Sequence, residues 1–133
     1  MEQTLTVKKA TTAVIRHRGK IFIGQRVKDG LWELPGGRIN EHETPEECIV
    51  REIKEELDIN VSIVKFLCKL RGTFRDIPMY VYAYLVDWKS GELEMRVHSR
   101  IQWVNMNEIN NYSIVEEDMV ILKQFRHILK TAK

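Results

Sequence analysis

Apolar positions along the chain come in short runs separated by turn residues, and their spacing predicts a sequence of elements. Val7 to Arg16 is rich in Val, Ile and Thr and reads as a strand. "HRGK" then reads as a turn and "IFIGQR", from Ile21, as a second strand, so the two form a hairpin. "VKDG" is another turn, "LWEL" a short strand, and "PGG" breaks it. Thr44-Pro45-Glu46-Glu47 combines an N-cap, a proline at the first helical position and a capping-box glutamate, predicting a helix that runs to about Leu57. Val61–Leu70 and Pro78–Trp88 are strand-like, and "RIQWVN" is a last short strand. From about Val115 the stripe Met119, Ile121/Leu122, Phe125, Ile128/Leu129 has helical spacing to the C-terminus. The order strands, helix, strands, helix predicts a mixed sheet with helices packed on its faces.

The central helix has two unlike faces. With Glu52 at zero, Glu56 projects at about +40° and Glu55 at about −60°. Ile49, Val50, Ile53 and Leu57 gather on another arc, so an apolar face meets the sheet and an acidic face lies at its margin. Stabilising patterns place Glu four residues before Lys or Arg, whereas Glu52 stands four before Glu56. A solvated acidic face is the plain alternative. The glycines upstream, Gly36 and Gly37, let backbone approach a ligand closely. Clustered hard oxygen ligands without Cys or His suit Mg²⁺ or Mn²⁺, which keeps waters and bridges to substrate phosphates.

Composition changes this picture little. The 133 residues are 44% hydrophobic and 30% charged, which fits one domain, taken as 1–133. A formal net charge of +2 predicts neither a nucleic-acid polymer nor an acidic membrane as partner. Locally, Arg26, Lys28 and Arg38 beside the acidic helix suit a metal ion together with an anionic small molecule. The N-terminal stretch lacks the apolar run of a signal peptide, and Met79 to Val86 is too short to span a bilayer. Cys48 and Cys68 show no metal-type spacing, so a reducing cytoplasm is the expected location. The sequence presents no interface stripe and sets no oligomeric state.

The segment from Leu34 to Ile59, "LPGGRINEHETPEECIVREIKEELDI", resembles the signature of the Nudix hydrolases, G-x5-E-x7-R-E-U-x-E-E-x-G-U with U aliphatic. Gly37, Glu43 and Arg51-Glu52-Ile53-Lys54-Glu55-Glu56-Leu57-Asp58-Ile59 match it everywhere except Asp58, which replaces a glycine. A left-handed residue is expected there, at a cost of about 1–2 kcal/mol for a non-glycine. "WELPGGRI" is similar to the MutT-like branch, which acts on nucleoside triphosphates, and the similarity spans about Val7 to Leu129.

That resemblance implies an α/β/α sandwich around a mixed β-sheet. It implies Glu52, Glu55 and Glu56 as Mg²⁺ (or Mn²⁺) ligands, Glu52 also as a candidate base, and the Gly36 carbonyl as a further ligand. Arg51 would orient these glutamates, Glu43 steady the loop, and Arg38 lie near the phosphates. Arg26 and Asp118 are candidate nucleotide contacts, with Glu117 an alternative to Asp118 and Leu34 near the base pocket. Tyr80 and Tyr82 alternate on one strand face and are candidates to stack on a base. Many relatives carry an acid in the loop before the "I-x-W" strand, but "RVHSRIQW" has none. Glu52 alone, Glu94 or His98 would then serve proton transfer, although a lone histidine in a polar loop is ordinarily exposed. Cys48, Trp32 and Trp103 read as packing. The implied activity is conversion of a nucleoside triphosphate, oxidised or pyrimidine, to monophosphate and pyrophosphate. Hydrolysis of ADP-ribose or a nucleotide sugar, and a non-catalytic nucleotide-binding module, are the alternatives.

Overall fold

The computed structural model describes residues 8–74 and 77–130. Val7, the predicted first residue of the opening strand, lies outside them, as do both ends of the 1–133 span. In chain order the elements are β1 (Lys9–His17), β2 (Lys20–Gln25), β3 (Trp32–Glu33), β4 (Gly36–Arg38), α1 (Pro45–Leu57), β5 (Asn60–Phe74), β6 (Ile77–Ser90), β7 (Arg100–Val104), a 3-10 turn (Met106–Asn111), α2 (Glu116–Gln124) and α3 (Arg126–Leu129).

All seven strands join one mixed sheet with the path β3-β2-β1-β6-β5, β4 pairing β1 and β7 pairing β2. β1 runs parallel to β6 and antiparallel to β2 and β4, so it is the hub of the sheet. Alternation along the strands builds two cores. Ala13, Ile15, Phe22, Tyr84 and Val86 meet Ile49, Ile53 and Leu57 of α1 on one face. Val14, Ile21, Ile23, Ala83 and Leu85 meet Ile121, Leu122 and Leu129 of α2 and α3 on the other. That is the expected α/β/α sandwich.

The helix start behaves as its residues predict. Thr44 Oγ1 accepts from Glu47 N–H at 3.1 Å, and Glu47 Oε1 accepts from Thr44 N–H at 2.9 Å. At the other end Asp58 adopts φ 57°, ψ 30°, and its N–H donates to the Lys54 carbonyl, closing the helix left-handed without glycine. Its carboxylate pairs with Lys54 at 3.2 Å and Arg96 at 3.3 Å. One helix position differs from the projection: Val50 is exposed, and Cys48 takes a buried place instead.

"PGG" does break the "LWEL" strand, since β3 ends at Glu33, but its glycines then open a further strand, β4, against Ala10–Thr12. Short glycine backbone is what lets it lie so close to β1. One other expectation is corrected. The C-terminal helix is not continuous: Phe125, at φ −106° and ψ 20°, separates α2 from α3. The apolar stripe reports the face that packs, and both pieces pack on it, so the break leaves no trace in the pattern.

Candidate active site

Arg51 organises the acidic end of the site. Its Nε and Nη2 donate to the two oxygens of Glu43 at 2.6 and 3.0 Å, a bidentate pair. Nη1 donates to Glu52 Oε1 at 2.9 Å and to Glu55 at 3.2 Å, and Nη2 also reaches the Arg38 carbonyl at 3.1 Å. Glu43 in turn accepts from Asn40 N–H at 2.9 Å, tying the loop before α1 to the helix. The Arg51 hydrogen bonds hold the Glu43 carboxyl down at about 2, well below the usual range.

Glu52 and Glu56 lie together beneath the glycine loop. Burial, and next the Glu52 carboxylate beside it, push Glu56 well above the ordinary carboxylate range, while a Gly36 backbone hydrogen bond opposes the rise. A Cβ on Gly37 would land on the Glu52 carboxyl, so that glycine makes room for a charged group. Cys48 sits under the same loop, its Sγ 3.2 Å from Thr11 Oγ1, and burial raises its thiol to about 11, which fits packing rather than chemistry.

Glu52, Glu55 and Glu56, with Gly36, form one wall of a cleft of about 660 Å³. Gly36, Glu52, Glu55 and Glu56 line the acidic end, Leu34, Val81, Val115, Ile121 and Asp118 the apolar end, and Arg26 and Lys28 also face it. The apolar end is placed by contacts distant in sequence. Trp32 N–H donates to the Ser113 carbonyl at 2.8 Å and Val115 N–H to the Trp32 carbonyl at 2.9 Å, zipping the start of α2 to β3. Asp118 is thereby buried, with Oδ2 accepting from Leu34 N–H at 2.8 Å. Burial raises its carboxyl to about 7, against the opposing effect of the Leu34 hydrogen bond.

The sign of that shift makes a prediction. A carboxyl raised above its unfolded value of 3.8 costs the fold stability as pH climbs, and the full cost is present above about 7. Asn cannot ionise but can still accept from Leu34. Asp118→Asn is expected to melt about 5 °C above the wild type at pH 8 and level with it at pH 4, read by thermal unfolding at both.

Not every predicted site residue enters the cleft. Arg38 is exposed on β4 and contributes its carbonyl to Arg51 instead. Tyr80 and Tyr82 lie on the α1 side of β6, opposite Val81, which lines the cleft. Tyr82 packs on the α1 core, and Lys69 Nζ stands 4.4 Å from the Tyr80 ring centre, so neither ring is presented to the cleft. Glu94 is paired with Arg96 at 2.9 Å near the C-terminal end of α1. His98 is buried rather than exposed, and its Nε2 lies 2.9 Å from Glu33 Oε2. Glu33 is a charged cleft residue that was not among the sequence candidates. The alternation of "LWEL" signals it, since burying Trp32 turns the next side chain to the opposite side.

Among the described residues no three acidic, imidazole or thiol groups converge as a closed metal cage. Two carboxylates pressed together and open to a cleft suit a hard cation that keeps waters and takes phosphate oxygens. Filling the site should expel the proton retained on Glu56. Calorimetric Mg²⁺ titration at pH 7 in buffers of different ionisation enthalpy is expected to show release of about one proton, absent in Glu56→Gln.

An α/β/α sandwich whose acidic helix lines a cleft of about 660 Å³ suits a phosphorylated ligand held through a hard cation. The chain belongs to the NUDIX domain family, whose model matches residues 7–125, and it is accordingly a Nudix hydrolase acting on nucleotide derivatives. It is 26% identical over 121 residues to the CTP pyrophosphohydrolase of Escherichia coli (strain K12), covering 88% of this chain and 90% of that one. It is 31% identical over 97 residues to the 8-oxo-dGTP diphosphatase of Proteus vulgaris, covering 69% and 87%. Its fold superposes on the crystal structure of the MutT NUDIX hydrolase from Burkholderia pseudomallei with a TM-score of 0.79, at 25% identity over 88% of this chain and 96% of that one. No helix among the described residues is long and apolar enough to cross a membrane.

Proposed function

We propose that the chain hydrolyses a nucleoside triphosphate, a cytosine nucleotide first, to the nucleoside monophosphate and pyrophosphate in the presence of Mg²⁺, with Mn²⁺ as substitute. The observation that carries this is one continuous cleft of about 660 Å³ lined by both the Glu52–Glu56 pair and Asp118, so phosphates near the acidic helix and a base near Asp118 fit within it. Glu52, Glu55, Glu56 and the Gly36 carbonyl would hold the cation. When bound, the ion neutralises phosphate charge and makes water a stronger nucleophile. Glu52 accepts the proton of the attacking water as the bond between the α- and β-phosphates breaks. Arg51 keeps that carboxylate aimed, and Arg26 meets the anionic chain of the nucleotide.

At the apolar end, Asp118 commits one oxygen to Leu34 and has one left for the base. Carboxylates accept well from the cytosine amino group. The similarity to the Escherichia coli CTP pyrophosphohydrolase over 88% of the chain supports the same choice.

Product analysis with purified protein, Mg²⁺ and a panel of standard and oxidised (d)NTPs, ADP-ribose and nucleotide sugars tests this. CMP plus pyrophosphate as the fastest products is the expected result. Fastest turnover of another triphosphate overturns the base assignment, and turnover of only ADP-ribose or a sugar nucleotide overturns the triphosphate reading.

A further inference from the structure

We propose that His98 is a positioning residue that sets nucleotide selectivity by holding Glu33 in one orientation in the cleft. The inference rests on the nucleotide reading of the same cleft. Glu33 enters from β3 and His98 from the segment before β7, and both line the cavity. The His98 side chain is only 2% exposed, whereas that of Glu33 is 28% exposed, so the buried partner anchors the open one. A carboxylate oxygen accepts, so the tautomer that makes the 2.9 Å contact a hydrogen bond is the one in which His98 Nε2–H donates to Glu33.

The imidazole itself cannot swing. A Cβ on Gly24 would lie 2.6 Å from its ring carbons, so β2 offers a flat glycine wall for it. Phe22 meets the ring edge-on at 6.3 Å. The chain on either side is pinned: Ser99 N–H donates to the Gln25 carbonyl at 3.0 Å, and Arg96 Nη1 reaches the Lys54 and Glu55 carbonyls at 3.4 Å. The segment is therefore strapped between α1 and β2.

Mere filling of this space does not call for histidine. Nδ1 is buried without a hydrogen-bond partner, a cost that leucine or phenylalanine would avoid. What the imidazole supplies and an apolar side chain cannot is the hydrogen bond to Glu33. That bond fixes the carboxylate's rotamer, and with it which donor groups of a ligand the cleft accepts. Arg26 Nη1, 3.8 Å from Glu33 Oε1, steadies the other oxygen.

The test is a double-mutant cycle of His98→Leu and Glu33→Ala, reading kcat/KM for the best nucleotide and its ratio to the other bases. His98→Leu is expected to lower kcat/KM about ten- to hundredfold and flatten the base preference. His98→Gln, whose amide can reach Glu33, should restore most of both. In the Glu33→Ala background His98→Leu should add less than about twofold. Full multiplication of the two effects, or an unchanged base preference, overturns the proposal. Should His98→Leu fail to fold, Gly24→Ala, which displaces the ring, carries the same comparison. Nitrogen-15 NMR separates this from failure of the functional reading, because it needs no substrate. A bonded, slowly exchanging His98 Nε2–H that is lost in Glu33→Ala is expected even if no triphosphate is hydrolysed, and a fast-exchanging one overturns the proposal whatever the substrate. If the panel shows ADP-ribose or a nucleotide sugar as substrate, the cycle is run on it. Binding of no nucleotide at all overturns both readings.

Discussion

Glu52→Gln is expected to fold with the melting temperature of the wild type and to hydrolyse its substrate about a thousandfold more slowly. The substitution keeps the shape of the side chain, so Gly37 still has room beside it and Arg51 can still donate to its oxygen. What disappears is the negative charge and the proton-accepting oxygen. Glu56, relieved of its like-charged neighbour, should then ionise more readily, so cation binding is weakened less than turnover. Product release followed against time, with a parallel Mg²⁺ titration, separates the two effects. Turnover within tenfold of the wild type would remove Glu52 from the role of base and leave it as a cation ligand alone.

Gly36→Ala should cost about 3 kcal/mol or prevent folding. A Cβ at Gly36 would fall on the Thr11 carbonyl oxygen, with Thr12 Cα at 3.0 Å, and both obstacles are backbone of the hub strand. Flexible side chains can step aside, but β1 cannot, because β6 holds it through the register Thr11↔Tyr82 and Thr12↔Ala83 on the far side. The strain must open the β1–β4 pairing, which carries the loop that delivers α1. Denaturant unfolding measures the loss; a change below 1 kcal/mol would mean β4 is free to move. Gly37→Ala makes the contrasting case, since its Cβ meets the Glu52 carboxyl, so activity should suffer more than stability.

The acidic half of the site was readable because its residues are neighbours in sequence. Fixed helical spacing puts Glu52, Glu55 and Glu56 on one side of α1, and Arg51 follows them because it is carried by the same turn. Thr44 with Glu47 fixes where that helix begins, and Asp58 where it stops, since capping uses only local hydrogen bonds. Strand-favouring residues between turn signals likewise placed most strands, and β1 shows little alternation because both of its faces are covered.

The other half depended on packing. Tyr80 and Tyr82 share a face by the strand period, but the period does not say which face the cleft occupies. That was decided by α2 docking beside Val81 and Leu34. Asp118 becomes a buried cleft residue only because residues 113 to 115 zip onto Trp32, some eighty positions upstream. His98 looks like a solvated loop residue until Gly24 and Glu33 surround it. Sequence by itself determined the family and the acidic helix, because both arise from short-range spacing, and the sandwich followed from the resemblance that this spacing carries. Tertiary structure alone decided which carboxylates meet across the cleft, because long-range contacts are set by how whole elements pack and not by any local preference of the residues that make them.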